Sequence, residues 1–582
     1  MTLFRLRNSS NPVERGLAAC RPHFVTAGLF SVVINLLYLV PTLYMMQIYN
    51  RVLPDNGLVT LAALSVIALL GITTLSGLDW LRARILVRAG AQIDLALAGS
   101  TLATVMAQPH LGRQERAEAM RNFDQLRQFL SSPGVFALLD APWTPIYLIA
   151  AFLLHPLIGL LTLVTAVAIV TLAWANERAV KAGLTEAADH ASQAYARQHH
   201  IVSHAEEVRA LGLGSALVAR QLADRQTTNR LSVQAGFTSG NFGATIKYLR
   251  LIAQSAALGL GAWLAVNGSL SAGAIFASSL LLSRALQPVE QINGAWKSMV
   301  EAQRCYHKLV ALFAGTQPRE FTVLPAPSGA IQVERLTVVA PQSDRIALID
   351  ASFEVSPGEI VGIVGASGAG KSSLLRALAG ATPPARGHVR FDGASSSDWD
   401  PEMLARHIGY LPQSFVLFSG TIKENISCFR GLLGEGGPEL DDAVITAAKA
   451  IGAHEMILGL PQGYDTLIGM GALGLSAGQT QRIAIARALF GAPRILLLDE
   501  PTAHLDSEAK HALGKTLAAL RMRGATVLLS AHDSDILAAT DRLLVLQQGR
   551  VAERPLPEGL PSLRPVPHRP VASQTPASHE VG

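Results

Sequence analysis

Cysteine is scarce in this chain of 582 residues. Cys20, Cys305 and Cys428 lie far apart with no CxxC or metal-ligand spacing, which argues against a disulfide scaffold or a cysteine-held metal, so the thiols are expected to be reduced and inert. Charge is scarce too, at 16% of residues, against about a quarter in ordinary soluble proteins. With 49% hydrophobic residues and a mean hydropathy of +0.31, this excludes a wholly soluble chain and puts a large part of it in lipid. The net charge of +5 would suit a nucleic-acid partner, but the basic residues are scattered over helices rather than interleaved with aromatics, so none is expected. There is no internal repeat and no second phosphate loop.

What is present begins with Gly365-Ala366-Ser367-Gly368-Ala369-Gly370-Lys371-Ser372, a fit to GxxxxGK[ST]. In that pattern glycines let backbone N–H groups approach phosphates, the lysine reaches the terminal ones and the hydroxyl ligates Mg²⁺. The flanks suit it: an apolar strand, Glu359 to Val364, precedes the loop, and a helix from Ser373 to Ala379 follows with its N-terminus toward the phosphates. Ile495-Leu496-Leu497-Leu498 reads as a buried strand ending in Asp499-Glu500. Asp499 is placed to order Mg²⁺ through its water shell and Glu500 to orient or deprotonate water. Gln413 and His532 each follow an apolar strand and can reach the γ-phosphate region.

Apolar stretches fill the first half of the chain, at roughly 23–46, 57–80, 133–154, 157–176, 249–267 and 271–292, each near the ~20 residues that cross hydrocarbon. The first is too long for a removable signal peptide and lacks a clear cleavage site. Arginines and lysines crowd the segments before span one (Arg15, Arg21), between spans two and three (Arg82, Arg84, Arg88, Arg113) and between four and five (Arg178, Lys181, Arg197), so these are expected to be cytoplasmic. The long segments at 81–132 and 177–246 read as helices continuing the spans into the cytosol. Lys247, Arg250, Arg284 and Glu290, near or within spans, are candidates for lining a path or for pairing inside the bundle.

These readings divide the chain into an N-terminal segment at 1–22, a six-helix membrane domain with long cytoplasmic helices at 23–310, a linker at 311–330 and a soluble α/β nucleotide-binding domain at 331–550. A proline-rich tail at 551–582 is expected to be disordered.

Residues 331–550 resemble the nucleotide-binding domain of ABC transporters. Walker A at 365–372, the Q-loop Gln413, the signature Leu475-Ser476-Ala477-Gly478-Gln479, Walker B at 495–500, the D-loop Ala503-His504-Leu505-Asp506 and the H-loop His532 stand in family order. Six spans ahead of one such domain resemble an exporter half-transporter. Met46-Gln47-Ile48-Tyr49-Asn50-Arg51-Val52-Leu53-Pro54, Asp140-Ala141-Pro142-Trp143-Thr144-Pro145-Ile146-Tyr147 and Leu460 to Gly469 are similar to segments of type I protein-secretion permease/ATPases.

The resemblance implies ATP and Mg²⁺ as cofactors. ATP would be held by Gly365, Ser367, Gly368, Gly370, Lys371, Ser372 and Ser373 of one copy and by Ser476, Gly478, Gln479 and Asp506 at the signature and D-loop, with the partner's signature closing the site. Ser372, Gln413 and Asp499 would serve the metal, and Glu500, Gln413 and His532 catalysis. It further implies a second, identical half-transporter, a periplasmic adaptor, an outer-membrane channel and an unfolded secreted protein with a C-terminal signal, moved out through the bacterial inner membrane. A lipid or drug/peptide exporter of the same architecture is the alternative; a soluble ABC ATPase acting on nucleic acid or ribosomes would lack the spans. About twenty residues precede span one, so no leader peptidase is expected. Three positions depart from the family pattern. Ala477 replaces a signature glycine and is expected to slow turnover unless its φ is negative. Val338-Val339-Ala340-Pro341 offers no aromatic to stack on adenine, and Met470 replaces an acidic residue.

Overall fold

The computed structural model describes residues 11–108, 111–314, 321, 323–340, 345–469 and 474–554. Pro341, Met470 and the tail from Pro555 onward lie outside them. The chain divides into two units, one ending at Pro318 and the other beginning at Arg319.

The first unit is helical. Its long helices are Arg21–Leu37, Leu58–Ala107, Pro156–Ser203, Gly214–Val266 and Ala272–Ala314, with Arg113–Leu130, Pro133–Asp140 and Thr144–Leu154 between them. Among the described residues, five helical stretches are long and apolar enough to cross a membrane: 21–55, 58–107, 133–154, 156–203 and 214–266. The sixth expected span, 271–292, lies in Ala272–Ala314 and falls outside that group. Arg284, Gln287, Pro288 and Glu290 dilute its apolar run. This helix packs on most of the others, including Gly214–Val266, Thr144–Leu154 and Pro133–Asp140, and faces that meet helices instead of lipid tolerate polar residues. Outward residues such as Leu69 and Leu70 are about two-thirds exposed (65% and 63%), as side chains that face lipid rather than other helices must be.

The expected continuation of spans into long helices holds: Leu58–Ala107 runs 50 residues and Pro156–Ser203 runs 48. The first span is less regular than its composition predicts. It breaks at Tyr38 and Leu39, ahead of Val40–Gln47, whose second residue is Pro41, then loosens into a π-turn at Ile48–Val52 before Pro54. Proline cannot donate a helical N–H, so the chain loosens around it. At one end, Val13, Leu17 and Cys20 pack with Ile93, Leu97, Phe123, Cys305 and Leu309, which makes two thiols part of a hydrophobic core.

The second unit is α/β. A six-stranded sheet runs in the order Arg550–Arg554, Arg542–Gln547, Ile360–Gly365, Thr526–Ser530, Ile495–Asp499, Ile408–Leu411, parallel except at the 550–554 edge. Ile495–Asp499 and Thr526–Ser530 are buried at every position, as central parallel strands covered on both faces must be. A smaller antiparallel sheet contains Ile331–Val339, Ile346–Val355 and Arg386–Phe391. The last strand runs to Arg554, past the expected domain end at 550, because Gln548 (φ 50°) and Gly549 (φ 78°) close a tight hairpin.

Candidate functional site

The phosphate loop leaves strand Ile360–Gly365 and enters helix Lys371–Leu378 at Gly370. Gly370 has φ 108°, and a side chain there would sit 2.6 Å from the Ala347 carbonyl oxygen, so the turn needs glycine twice over. Ser367 and Gly368 lie on the exposed rim of the loop, whereas Lys371 and Ser373 are buried in the first helical turn. Lys371 Nζ donates to the Gly365 carbonyl at 2.7 Å and stands 3.4 Å from His532 Nε2.

Around this lysine the strand ends converge, because parallel strands deliver their C-terminal residues to one edge of the sheet. Ser372 Oγ is 3.5 Å from Gln413 Oε1, Gln413 Nε2 donates to Glu500 Oε2 at 3.2 Å, and His532 Nε2 stands 3.8 Å from Glu500 Oε1. Asp499, 2% exposed, accepts from Ser530 Oγ at 2.7 Å. Six residues named from sequence, Gly365, Lys371, Ser372, Gln413, Glu500 and His532, are thus brought together, with Asp499 preceding Glu500 at the strand's end. Glu500 has φ 49°, an uncommon left-handed conformation for a residue with a side chain.

The oxygens of Ser372, Gln413 and Asp499 suit a hard cation. Among the described residues no cluster of three His, Cys, Asp or Glu could hold a metal. A site of one carboxylate, one hydroxyl and one amide oxygen therefore fits Mg²⁺ shared with phosphates, not a protein-caged ion.

The remaining predicted residues form a second group. Ser476 caps helix Ala477–Leu489 through a reciprocal pair with Gln479, each accepting from the other's backbone N–H at 3.2 and 2.9 Å. Asp506 caps Ser507–Met522 and pairs with Arg482. Among the described residues no hydrogen bond joins 476–479 to 365–373. Ala477 is the first helical residue and is absent from the positive-φ positions, so its methyl group introduces no backbone strain. Val338 is fully buried in the sheet core, so it presents nothing to a base.

Sequence reading missed Ser530 and Gln481. Gln481, 1% exposed, donates to the Pro501 carbonyl at 2.8 Å and accepts from the His504 N–H at 2.9 Å, fastening the signature helix to the chain that follows Glu500. A polar residue on the buried face of a helix was its only signal.

The membrane unit has a polar knot of its own. Arg82, 4% exposed, binds Asp140 at 2.7 Å, Asp79 at 2.7 Å and Ser31 Oγ at 2.8 Å. Asn35 donates to Asp140 at 3.0 Å, and Tyr147 OH donates to the Asn35 carbonyl at 2.8 Å. Arg284 stacks over the Tyr38 ring at 4.1 Å and donates to Gln287 at 2.9 Å, while Arg250 pairs with Glu290 at 3.0 Å. Asn50, in the π-turn, accepts from the Gly273 N–H at 2.8 Å, and Tyr49 stacks on Phe276. The segments 46–54 and 140–147 therefore tie helices together.

Comparison with known proteins accounts for both units. Residues 348–503 match the ABC transporter family and residues 24–289 the ABC transporter transmembrane region. The chain is 37% identical over 541 residues to the type I secretion system ATP-binding protein PrsD of Rhizobium meliloti, covering 92% of this chain and 91% of that protein. It is 29% identical to the cyclolysin secretion/processing ATP-binding protein CyaB of Bordetella pertussis, covering 90% of this chain and 74% of that protein. Identity is also 29% to the alpha-hemolysin translocation ATP-binding protein HlyB of Proteus vulgaris, covering 92% of this chain and 76% of that one. A bacterial Atm1-family ABC exporter solved with ATP bound shares the fold at TM-score 0.80 and 25% identity, covering 92% of this chain and 95% of that one. The chain belongs to the ABC transporter family: it is a multi-pass membrane protein whose ATP-binding domain hydrolyses ATP to drive transport. Within that family the three named relatives are secretion or translocation ATP-binding proteins, PrsD that of a type I secretion system.

Proposed function

We propose that the protein is the inner-membrane half-transporter of a type I secretion system. It works as a homodimer with a periplasmic adaptor and an outer-membrane channel, and exports an unfolded protein bearing a C-terminal signal. The observation that carries this reading is the likeness to PrsD along nine-tenths of both chains, joined to a phosphate site whose residues already touch.

In this reading the domain limits are 23–310 for the membrane half and 331–550 for the ATPase, with the ATPase in the cytoplasm. Lys371 and the loop N–H groups neutralise and orient the β- and γ-phosphates. Mg²⁺, when bound, would supply positive charge that screens the charge developing on phosphoryl transfer. Ser372, Gln413 and Asp499 would hold that ion, Asp499 through its water shell. Glu500 orients and deprotonates the attacking water. His532, beside both Lys371 and Glu500, donates to the γ-phosphate. Ser476, Gly478 and Gln479 of the second copy close over the nucleotide, with Asp506 lining the seam. ATP thus favours the closed pair and hydrolysis releases it.

The test uses the full chain purified in detergent. ATPase activity should respond to an unfolded protein carrying its C-terminal signal, and an adaptor should co-purify. A response confined to lipids or drug-like compounds, with no adaptor, would replace this reading with the exporter alternative.

A further inference from the structure

Ser530 is the last residue of strand Thr526–Ser530 and lies opposite Asp499 in the parallel register. Its side chain is fully buried, in a strand otherwise apolar after Thr526. A hydroxyl there is costly unless it is hydrogen-bonded, and this one makes two bonds in opposite senses. Oγ donates to Asp499 Oδ1 at 2.7 Å and accepts from the Glu500 N–H at 2.9 Å. The same N–H also reaches the Ser530 carbonyl at 3.1 Å. Among the described residues, Ser530 supplies the only hydrogen bond to the Asp499 carboxylate.

We infer that Ser530 is a positioning residue of the hydrolytic site, its one hydroxyl setting both acids at once. The bond to Oδ1 is charge-assisted, fixes the rotamer of a buried carboxylate and leaves Oδ2 free for the water shell of the metal. The bond from the Glu500 N–H helps hold that residue at φ 49°, a conformation that persists only when its surroundings over-determine it. Ser530 touches no reacting atom; it acts through Asp499 and Glu500.

This inference rests on the assignment of Asp499 to Mg²⁺, so the experiment includes both residues. The full-length protein in detergent is prepared as wild type, Ser530→Ala, Ser530→Thr and Asp499→Asn. Mn²⁺ affinity is read by electron paramagnetic resonance with a non-hydrolysable ATP analogue, and metal-free affinity with a fluorescent ATP. Removing a partner that orients a metal-binding group typically weakens metal affinity 10–100-fold. Ser530→Ala should therefore raise the Mn²⁺ Kd, and the Mg²⁺ concentration at half-maximal turnover, about tenfold. Metal-free nucleotide affinity should stay within about twofold, and Ser530→Thr, which keeps the hydroxyl, should restore most of the metal affinity.

Wild-type metal affinity in Ser530→Ala alongside a loss in Asp499→Asn would overturn the inference alone. Unchanged affinity in both variants would overturn the metal assignment, and the inference with it. Equal loss of metal-bound and metal-free nucleotide affinity in Ser530→Ala would mark a collapsed site and overturn the positioning role.

Discussion

Glu500 hangs from a left-handed backbone with its carboxylate between Gln413 and His532. Glu500→Gln keeps the shape and removes the base. Hydrolysis should fall by at least about a thousandfold, toward the upper range for loss of a general base, while ATP binding persists in a nucleotide-binding assay. Gly478 makes a different kind of demand. A Cβ there would lie 2.9 Å from the His504 carbonyl oxygen, so Gly478→Val should push the D-loop away and cut turnover by about tenfold or more, the size of effect a small misplacement produces. His407 bears on stability. Burial, with Arg406, Arg430 and Arg494 nearby, holds its pKa below the ordinary value. Its stabilising contribution is present above the unfolded value of about 6.5 and is lost as pH falls through the lower folded one. The melting temperature should drop in that window, and His407→Gln should flatten the drop. The phosphate-binding residues were legible because their chemistry needs fixed local spacing. Ser530 and Gln481 were not, since only strand register and helix docking bring them to the acids.

Among elements, the Arg82 knot ties three stretches, 21–37, 58–107 and 133–154, that composition describes only as apolar. Asp140→Ala would leave the guanidinium buried with only Asp79 as an ionic partner. Stripping one partner from a buried pair costs about 3–5 kcal/mol, so the variant should melt well below wild type in detergent, by an amount reduced to the extent that Asp79 compensates. Hydropathy placed five of the six expected spans on helices long and apolar enough to cross a membrane. The break at Tyr38 and the π-turn could not be read from it, because Pro41 and Pro54 announce a disturbance without its form. The sixth span shows the converse: its polar residues lower its hydropathy, and only packing explains them.

At the scale of the whole molecule, two compositions in one chain announced two units, and order of motifs announced the family. The ATP site stayed incomplete in the sequence for a physical reason: among the described residues, Ser476 and Gly478 belong to a group that makes no hydrogen bond with the phosphate loop of its own chain. If a second copy completes the site, Glu500→Gln protein should gain dimer on adding ATP, seen as a concentration-dependent mass shift in light scattering. Mixing it with wild type should then lower activity more steeply than simple dilution.

The Arg82 knot also bears on how the protein is made. Asp140 belongs to the third span and its cation to the helix just beyond the second, 58 residues earlier in the chain. A lone aspartate at the centre of a span costs about 2.5–3.5 kcal/mol on insertion and less toward its end, where Asp140 lies, and Arg82 is synthesised before it. Order of synthesis therefore supplies the counter-ion first. Arg82→Ala should strand the third span outside the bilayer in a fraction of newly made chains, and a glycosylation or protease-protection assay on truncated chains would reveal that fraction.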